Sequence, residues 1–252
     1  MINPLHFKNS VGSIEAFFTE RGTAEVFNPY SEYNCCDYVG DESPHVASCR
    51  AFLCKAIGVE QSHLVTARQT HSLNVAVIDR LPAKLLYDID ALVTRCKGIV
   101  LGVYTADCVP VVLCDANEGV IAVAHAGWKG TMGGIVSKTI DSMVNIGAKV
   151  ENINVAFGPS ICQSCFEVGD EVVELFKQSG FPIEEIAVFN DTTSKYHIDL
   201  VETNALIMAQ CGIAKVNIMR SGLCTKCTPR RFFSARNLGI NSGRIFTGII
   251  RR

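Results

Sequence analysis

The sequence predicts an α/β protein with a mixed β-sheet. Apolar runs rich in Val and Ile and bounded by turn formers are typical of buried strands, and they are densest between Gly98 and Met143. Strands alternate with helical patterns through the second half of the chain, which indicates an α/β architecture. Predicted strands follow one another directly between residues 64 and 125, which favours a mixed sheet over a purely parallel one.

The helices are predicted from apolar residues at helical spacing. Between residues 131 and 145, apolar side chains recur every fourth residue from Met132 to Val144, and Gly147 supplies a stop. The predicted helices are 44–58, 131–145, 168–178 and 200–211. The predicted strands are 14–19, 64–66, 75–78, 91–94, two within 98–126, then 153–157, 187–189, 216–219 and 245–250. No repeat, low-complexity stretch or linker interrupts this order, so we expect a single domain over residues 1–252.

Composition excludes several classes of protein. The chain of 252 residues is 48% hydrophobic, long enough for a large core, and its formal net charge of −2 argues against a nucleic-acid-binding protein. No run approaches the ~20 apolar residues of a transmembrane helix, so we expect no membrane association. The first residues show no basic region followed by an apolar core, so we expect a cytoplasmic protein in which the twelve cysteines are mostly reduced.

Three residues at the ends of predicted strands are good ligands for a borderline-soft metal. His71, Cys108 and His125 each lie beside small or turn-forming residues, where a side chain can face a cleft. A catalytic zinc takes three protein ligands of this kind and leaves one position open. Each residue taken singly is more often structural, and the long spacings do not by themselves bring the three together.

Nearby carboxylates and cations complete the candidate site. Asp90 is a candidate acid or base, or a turn cap. Asp107 precedes Cys108 directly, so in an extended chain it points to the opposite face and is expected to have a supporting or capping role. Lys129 lies where a predicted strand is followed by a helix. The backbone N–H groups at the start of a helix favour binding of an anion, but the segment can also be read as a tight turn without a ligand. Three arginines are candidates for binding a phosphate or carboxylate group: Arg50, Arg236 and Arg244. Each can equally form a surface ion pair.

Two CxxC pairs occur late in the chain, at Cys162–Cys165 and Cys224–Cys227. Together they could form a four-cysteine zinc site. Their separation is far wider than that of the usual zinc ribbon, so the sequence favours independent thiols over a structural metal.

Short motifs spread over most of the chain resemble the laccase-domain family, also called the YfiH-like or multicopper polyphenol oxidase family. They are QTH at 69–71, DIDALVT at 88–94, TADCVPVVLCD at 105–115, HAGWKG at 125–130, GPSI at 158–161, FEVGDEV at 166–172 and the tail beginning FFSARN. The sequence departs from the family pattern at Phe166, where Tyr is common, and at Ala235 and Asn237.

This resemblance implies a layered α/β sandwich and an enzyme of purine nucleosides. Such enzymes use zinc to phosphorolyse adenosine, inosine, guanosine and methylthioadenosine with phosphate, and they also deaminate adenosine. The family's metal set falls on His71, Cys108 and His125. We expect Cys108 and Asp90 to be the catalytic residues. Charge and family position make Arg50, Lys129 and Arg236 the expected substrate or phosphate contacts.

Other functions stay open at this point. A copper-dependent polyphenol oxidase (laccase) needs several copper ions and many histidines, whereas this chain has six histidines, of which two lie in the motifs. A metal-free thiol hydrolase would use Cys108 as nucleophile and His71 or His125 as base. A non-catalytic metal-binding or interaction protein is the third alternative.

Overall fold

A computed structural model of the chain describes residues 1–9, 11–23 and 25–252. Its α-helices are α1 (Ser43–Ile57), α2 (Trp128–Met132), α3 (Ile135–Asn145), α4 (Asp170–Gln178), α5 (Ile183–Ile186), α6 (Leu200–Gln210) and α7 (Ala235–Leu238). Short 3₁₀ helices cover Gln61–His63, Val150–Asn152, Gln163–Cys165 and Lys215–Asn217. Within the described part of the chain, no helix is both long and apolar enough to cross a membrane.

The strands lie mostly where the apolar runs predict them. They are β1 (Ile2–Leu5), β2 (Ile14–Thr19), β3 (Leu64–Val65), β4 (Ala67–Arg68), β5 (Val75–Ile78), β6 (Leu86–Tyr87), β7 (Ala91–Thr94), β8 (Val100–Thr105), β9 (Val109–Asp115), β10 (Val120–Ala126), β11 (Asn154–Phe157), β12 (Glu167–Val168), β13 (Ala187–Asn190), β14 (Lys195–Ile198), β15 (Ile218–Arg220) and β16 (Ile245–Arg251).

Two large sheets, both mixed, organise these strands. A five-stranded sheet has the order β1-β2-β16-β8-β3, and a six-stranded sheet has the order β15-β11-β9-β10-β7-β5. Most neighbours are antiparallel, but the β3–β8, β11–β15 and β5–β7 pairs are parallel. The prediction of a mixed sheet is confirmed. Smaller sheets, β12-β14-β13 and β4-β6, complete the set.

The two large sheets pack face to face between helices. Alternate side chains of β9 show this arrangement, because Val112 belongs to the core between the sheets whereas Val111 and Leu113 face the core beneath α3 and α6. On the outer face of the five-stranded sheet, Phe246 belongs to the same hydrophobic cluster as Leu53 of α1. Both faces of each sheet are therefore buried, which explains why the strands read as continuous apolar runs instead of alternating ones.

The chain crosses from one large sheet to the other between β8 and β9. The strand β8 lies in the five-stranded sheet and β9 in the six-stranded sheet, so residues 106–108 form the crossing turn. Cys108 is the last residue of this turn. The apolar stretch that dominates the sequence thus supplies the central strands of both sheets and puts a thiol at their junction.

The predicted helix 131–145 is wrong as a single element, because the segment is divided between α2 and α3. Gly134 adopts a left-handed φ of 78°, which a continuous right-handed helix cannot contain. The buried face also differs from the predicted four-residue repeat: Val136 and Ile140 are buried as expected, but Val144 is exposed and Met143 is buried instead. Of the irregular segment predicted at 21–43, residue 24 lies outside the described residues.

We expect Gly134→Ala to lower the free energy of unfolding by about 1–2 kcal/mol, because alanine is strained in the left-handed region. An added Cβ would meet nothing closer than 3.7 Å, so crowding does not contribute. Gly134→Asn is the matched control and should recover part of the loss, since asparagine tolerates this region. Denaturant unfolding measures both variants. Equal stability of wild type and Gly134→Ala would contradict backbone strain as the cause.

Candidate metal centre and cavity

The hairpin of β9 and β10 brings Cys108 and His125 together. In this antiparallel pair His125 lies opposite Pro110 and Ala126 lies opposite Val109. Cys108 immediately precedes Val109, so the thiol at the start of one strand meets the imidazole at the end of the next. Residues far apart in sequence thereby become cross-strand neighbours.

His71 reaches the same place from the turn that follows β4. Its backbone has a left-handed φ of 62°, which is uncommon for a residue with a side chain. The carboxylate of Asp90 accepts hydrogen bonds from three successive backbone N–H groups in this turn: Thr70 (3.1 Å), His71 (3.1 Å) and Ser72 (2.8 Å). These bonds fix a conformation that the turn would not adopt on its own.

Asp90 also orients His125. The His125 Nδ1–H donates to Asp90 Oδ1 at 2.7 Å, so the Nε2 atom is left for a ligand. Asp90 is completely buried. Burial raises the pKa of its carboxyl, but the His125 imidazolium and the backbone donors outweigh burial and bring that pKa to about 2. Asp90 is therefore a carboxylate that holds both histidine-bearing segments.

The donor atoms of His71, Cys108 and His125 all lie within 4.8 Å of one another. The His71 Nε2 atom is 3.7 Å from the Cys108 Sγ atom. Two imidazoles and one thiolate suit zinc, with one coordination position left for water or substrate. The donor set therefore fits one metal ion, and the Asp90–His125 pair is the carboxylate–histidine arrangement that commonly supports such ligands.

In the protein without metal, the surroundings of Cys108 and His125 favour a thiolate beside an imidazolium. Burial raises the pKa of the Cys108 thiol, but the positive charge of His125 and hydrogen bonds from both histidines lower it to about 6. Burial lowers the pKa of His125, but the Cys108 thiolate and the Asp90 carboxylate raise it to about 9. Both shifts favour the charged forms, and the thiolate is the form of cysteine that is reactive and binds metal.

Gly127 allows the close approach of these ligands. A Cβ atom at this position would lie 2.8 Å from His71 Cδ2 and 3.1 Å from Cys108 Sγ. Such distances force a neighbour to move. The glycine of the HAGW motif is thus explained by the space that the side chains of His71 and Cys108 occupy.

Asp107 has the capping role predicted for it, although the extended chain on which that prediction rested is wrong. Its φ of 85° is left-handed, so the chain is not extended at this residue. Its carboxylate accepts hydrogen bonds from the Thr225 hydroxyl at 2.6 Å and from the Arg236 backbone N–H at 2.8 Å, at the start of α7. Asp107 therefore fixes the turn that presents Cys108.

A cavity of about 430 Å³ opens over the three metal-ligand candidates. This volume lies within the usual range for small-molecule sites. The aromatic rings of Tyr38 and Tyr104 form part of its wall, and Asn241 and Arg244 supply polar groups. The complete lining is Tyr38, Val39, Gln69, His71, Tyr104, Ala106, Cys108, His125, Ala235, Ile240, Asn241 and Arg244.

Arg50, a predicted phosphate contact, lies behind the cavity wall. Its guanidinium donates to the Cys35 carbonyl at 2.8 Å and to the Tyr104 hydroxyl at 3.2 Å, and pairs with Asp37 at 3.2 Å. These groups occupy its donors, and Arg50 lines a separate, neighbouring cavity. The structure thus does not bring Arg50 to the metal-ligand candidates.

The other predicted cations also lie outside the cavity lining. The Lys129 ammonium lies over the Trp128 ring at 5.5 Å, and the Arg236 guanidinium lies over the Phe166 ring at 5.2 Å. Both side chains are exposed. Arg244, which the sequence offered as a further candidate, does line the cavity.

Sequence reasoning missed the aromatic and amide residues of the wall. Tyr38 lies in the irregular segment 21–43, and the length of that segment was the available signal. In the sequence, Tyr104 is recognisable only as part of a predicted buried strand, with no sign that it lines a cavity. The side-chain amide of Gln69 accepts a hydrogen bond from the Tyr104 N–H at 2.7 Å and donates one to the Tyr104 carbonyl at 2.9 Å. Gln69 therefore joins the segment before His71 to β8.

A family model described as multi-copper polyphenol oxidoreductase laccase matches residues 15–252. The chain belongs to this family. Adenosine deaminase RL5, from an unknown prokaryotic organism, is 49% identical over 259 residues, which cover 100% of this chain and 99% of that protein. A purine nucleoside phosphorylase of Bacteroides thetaiotaomicron is 37% identical over 251 residues, covering 96% and 93%.

A solved structure shares the fold. The crystal structure of the Bacillus licheniformis hypothetical protein YfiH matches with a TM-score of 0.87 and 27% identity, over 95% of this chain and 93% of that chain. The family expected from the motifs and the layered α/β fold are both confirmed. Because its relatives in the family are named as enzymes, the expectation that this chain is an enzyme is also confirmed.

Gly127→Ala should weaken metal binding by about 10-fold or more, because the new methyl group displaces His71 or Cys108. Gly130→Ala is the matched control: it lies in α2, and its Cβ would meet no atom closer than 3.4 Å. Metal titration of chelator-treated protein measures both affinities. Tight binding by Gly127→Ala would show that the ligands do not need this space.

In metal-free protein, alkylation of Cys108 should begin at low pH, with a midpoint near its pKa of about 6. His125→Ala removes the imidazolium and leaves burial less opposed, so the midpoint should move up toward the range of an ordinary thiol. Peptide mass spectrometry after timed alkylation measures this reaction, with Cys211 in the same digest as reference. A wild-type midpoint near that of an ordinary thiol would contradict the thiolate–imidazolium pair.

Proposed function

We propose that this chain is a zinc-dependent purine nucleoside phosphorylase that also deaminates adenosine. The observation that carries the proposal is the convergence of His71, Cys108 and His125 beneath a cavity of about 430 Å³. Relatives that are similar over nearly the whole chain are named adenosine deaminase and purine nucleoside phosphorylase. A metal-ligand set open to a ligand-sized cavity supports both activities.

His71, Cys108 and His125 would hold the zinc ion. When bound, zinc supplies Lewis-acid stabilisation of developing negative charge and makes water a stronger acid. In phosphorolysis a phosphate oxygen bonds to the anomeric carbon while the bond to the purine nitrogen breaks and the base leaves with a proton. In deamination water adds to the amino-bearing carbon of adenine and ammonia leaves.

Within this proposal Asp90 acts by positioning. Its carboxylate holds the His125 ring and the turn that carries His71, and it is buried away from the cavity surface. Cys108, like His71 and His125, belongs both to the proposed metal-ligand set and to the cavity lining. Its thiolate gives the centre negative charge, and the His125 imidazole must give up its proton when a metal binds.

The cavity wall supports recognition of a nucleoside and an anion. The Tyr38 and Tyr104 rings offer apolar surface for a purine or ribose, and Arg244 offers positive charge on the wall. Lys129 and Arg236 remain proposed phosphate contacts. Their side chains are exposed, and each would have to rotate toward the cavity to reach a bound phosphate. Arg50 would first have to leave its pairing with Asp37.

A second candidate is a metal-free thiol hydrolase. The lowered pKa of Cys108 beside the raised pKa of His125 favours it, because that pairing is what cysteine nucleophiles require. The description of the family model instead favours copper chemistry, but one group of two histidines and one cysteine within 4.8 Å holds one ion, whereas a multicopper oxidase needs several.

Product analysis with adenosine, inosine and methylthioadenosine, with and without phosphate, tests the proposed function. Zinc-loaded protein should release free base only when phosphate is present, and should form inosine from adenosine without phosphate. His71→Ala should abolish both reactions by removing a metal ligand, whereas His63→Ala, a matched change in the Gln61–His63 turn, should leave both unchanged.

Three results would overturn the proposed function. Turnover that persists after chelation would favour the thiol hydrolase. Oxidation of phenols that depends on copper loading, with no nucleoside product, would favour the older laccase assignment. Absence of every product from fully zinc-loaded protein would favour a non-catalytic role.

A further inference from the structure

Four cysteines form a second cluster of potential metal ligands, separate from the candidate centre under the cavity. They are the two CxxC pairs, Cys162 with Cys165 and Cys224 with Cys227, and their Sγ atoms all lie within 4.8 Å of one another. The Cys165 and Cys227 sulfurs, 62 residues apart in sequence, are separated by 3.4 Å. The structure thus unites two pairs whose spacing along the chain gave little reason to join them.

The fold holds these two segments side by side through the backbone. Ser160 and Cys224 form a parallel β-bridge, in which the Ser160 N–H donates to the Leu223 carbonyl at 3.1 Å and the Thr225 N–H donates to the Ser160 carbonyl at 3.0 Å. Each CxxC pair lies in a tight turn next to this bridge. The cluster therefore rests on regular backbone pairing and not on chance proximity of flexible side chains.

Backbone donors also point at sulfur. The N–H groups of Cys162 and Cys227 each donate to the Cys224 Sγ atom at 3.4 Å. Hydrogen bonds of this kind favour the charged thiolate over the neutral thiol. Four thiols packed at these distances without a cation would repel one another once ionised, so the arrangement calls for a positive charge at its centre.

We propose that Cys162, Cys165, Cys224 and Cys227 bind a structural zinc ion. Four sulfurs about 2.3 Å from a tetrahedral ion lie about 3.8 Å apart, and the sulfurs of this cluster, all within 4.8 Å of one another, are close enough to surround such an ion. A four-thiolate set selects zinc or iron over oxygen-preferring metals, and it leaves no open position for substrate. This ion has a stabilising role distinct from that of the ion at His71, Cys108 and His125.

The cysteine cluster supports the turn that presents Cys108. Ile161, next to Cys162, donates its N–H to the Asp107 carbonyl at 2.9 Å. Thr225, next to Cys224, donates its hydroxyl to the Asp107 carboxylate at 2.6 Å. A zinc ion that joins the two segments therefore fixes both of these contacts to the residue before the metal-binding thiol.

Zinc content per chain tests this inference by elemental analysis of purified protein. Wild type should contain two zinc ions. Cys227→Ser, and the double variant with Cys162→Ser, should lose one ion and keep the other. Cys211→Ser is the matched control, since Cys211 is a partly buried free thiol outside both clusters, and it should keep two ions.

A second measurement covers the case in which the cysteine variants fail to fold. His71→Ala removes a ligand of the other site and leaves the cluster intact, so it should retain one zinc ion. The four cluster thiols should then resist alkylation until a strong chelator is added. Because the readouts are metal content and thiol protection, they stand whether or not nucleoside turnover is found.

Any of three results would overturn the structural zinc. One is a wild-type protein with a single zinc ion that His71→Ala removes completely. Another is a Cys165–Cys227 disulfide in freshly purified protein, seen by mass spectrometry under denaturing conditions. The third is iron in place of zinc at the cluster.

Discussion

The carboxylate of Asp90, buried yet bonded by protein donors, holds the candidate centre together. It accepts from the backbone of Thr70, His71 and Ser72 and from the His125 ring, so one side chain joins a turn and a strand end. A buried charge that loses its partners costs about 3–5 kcal/mol, which makes this network essential to the local structure. It also offsets the left-handed backbone of His71, which costs about 1–2 kcal/mol.

The architecture then determines where that network can operate. The chain passes from the five-stranded to the six-stranded sheet just before β9, and Cys108 lies in that crossing. Asp107 anchors the crossing turn to the segment containing Thr225, and Gly127 leaves room for the thiol beside His71. The centre is therefore supported in two ways: by a buried carboxylate that holds the histidines and by the cysteine-rich segments that hold the turn before the thiol.

The description of the family and the names of its members indicate different chemistry, and the potential metal ligands in the structure help to choose between them. A family model described as a multi-copper oxidoreductase matches the chain, while relatives are named for purine nucleoside reactions. The site under the cavity offers two imidazoles and one thiolate to one ion. The second cluster offers only sulfur, and it is linked to the first through Asp107 and not through the cavity.

The sequence by itself determined the mixed α/β class, most strands and the three metal-ligand candidates, because buried strands and strand-end ligands leave local patterns. It predicted one continuous helix over 131–145 and missed the break, since a four-residue repeat does not reveal the left-handed Gly134. Only the tertiary structure decided which distant residues meet. It joined the two CxxC pairs through the Ser160–Cys224 bridge and engaged Arg50 with Asp37, because strand pairing and packing, not spacing along the chain, set those distances.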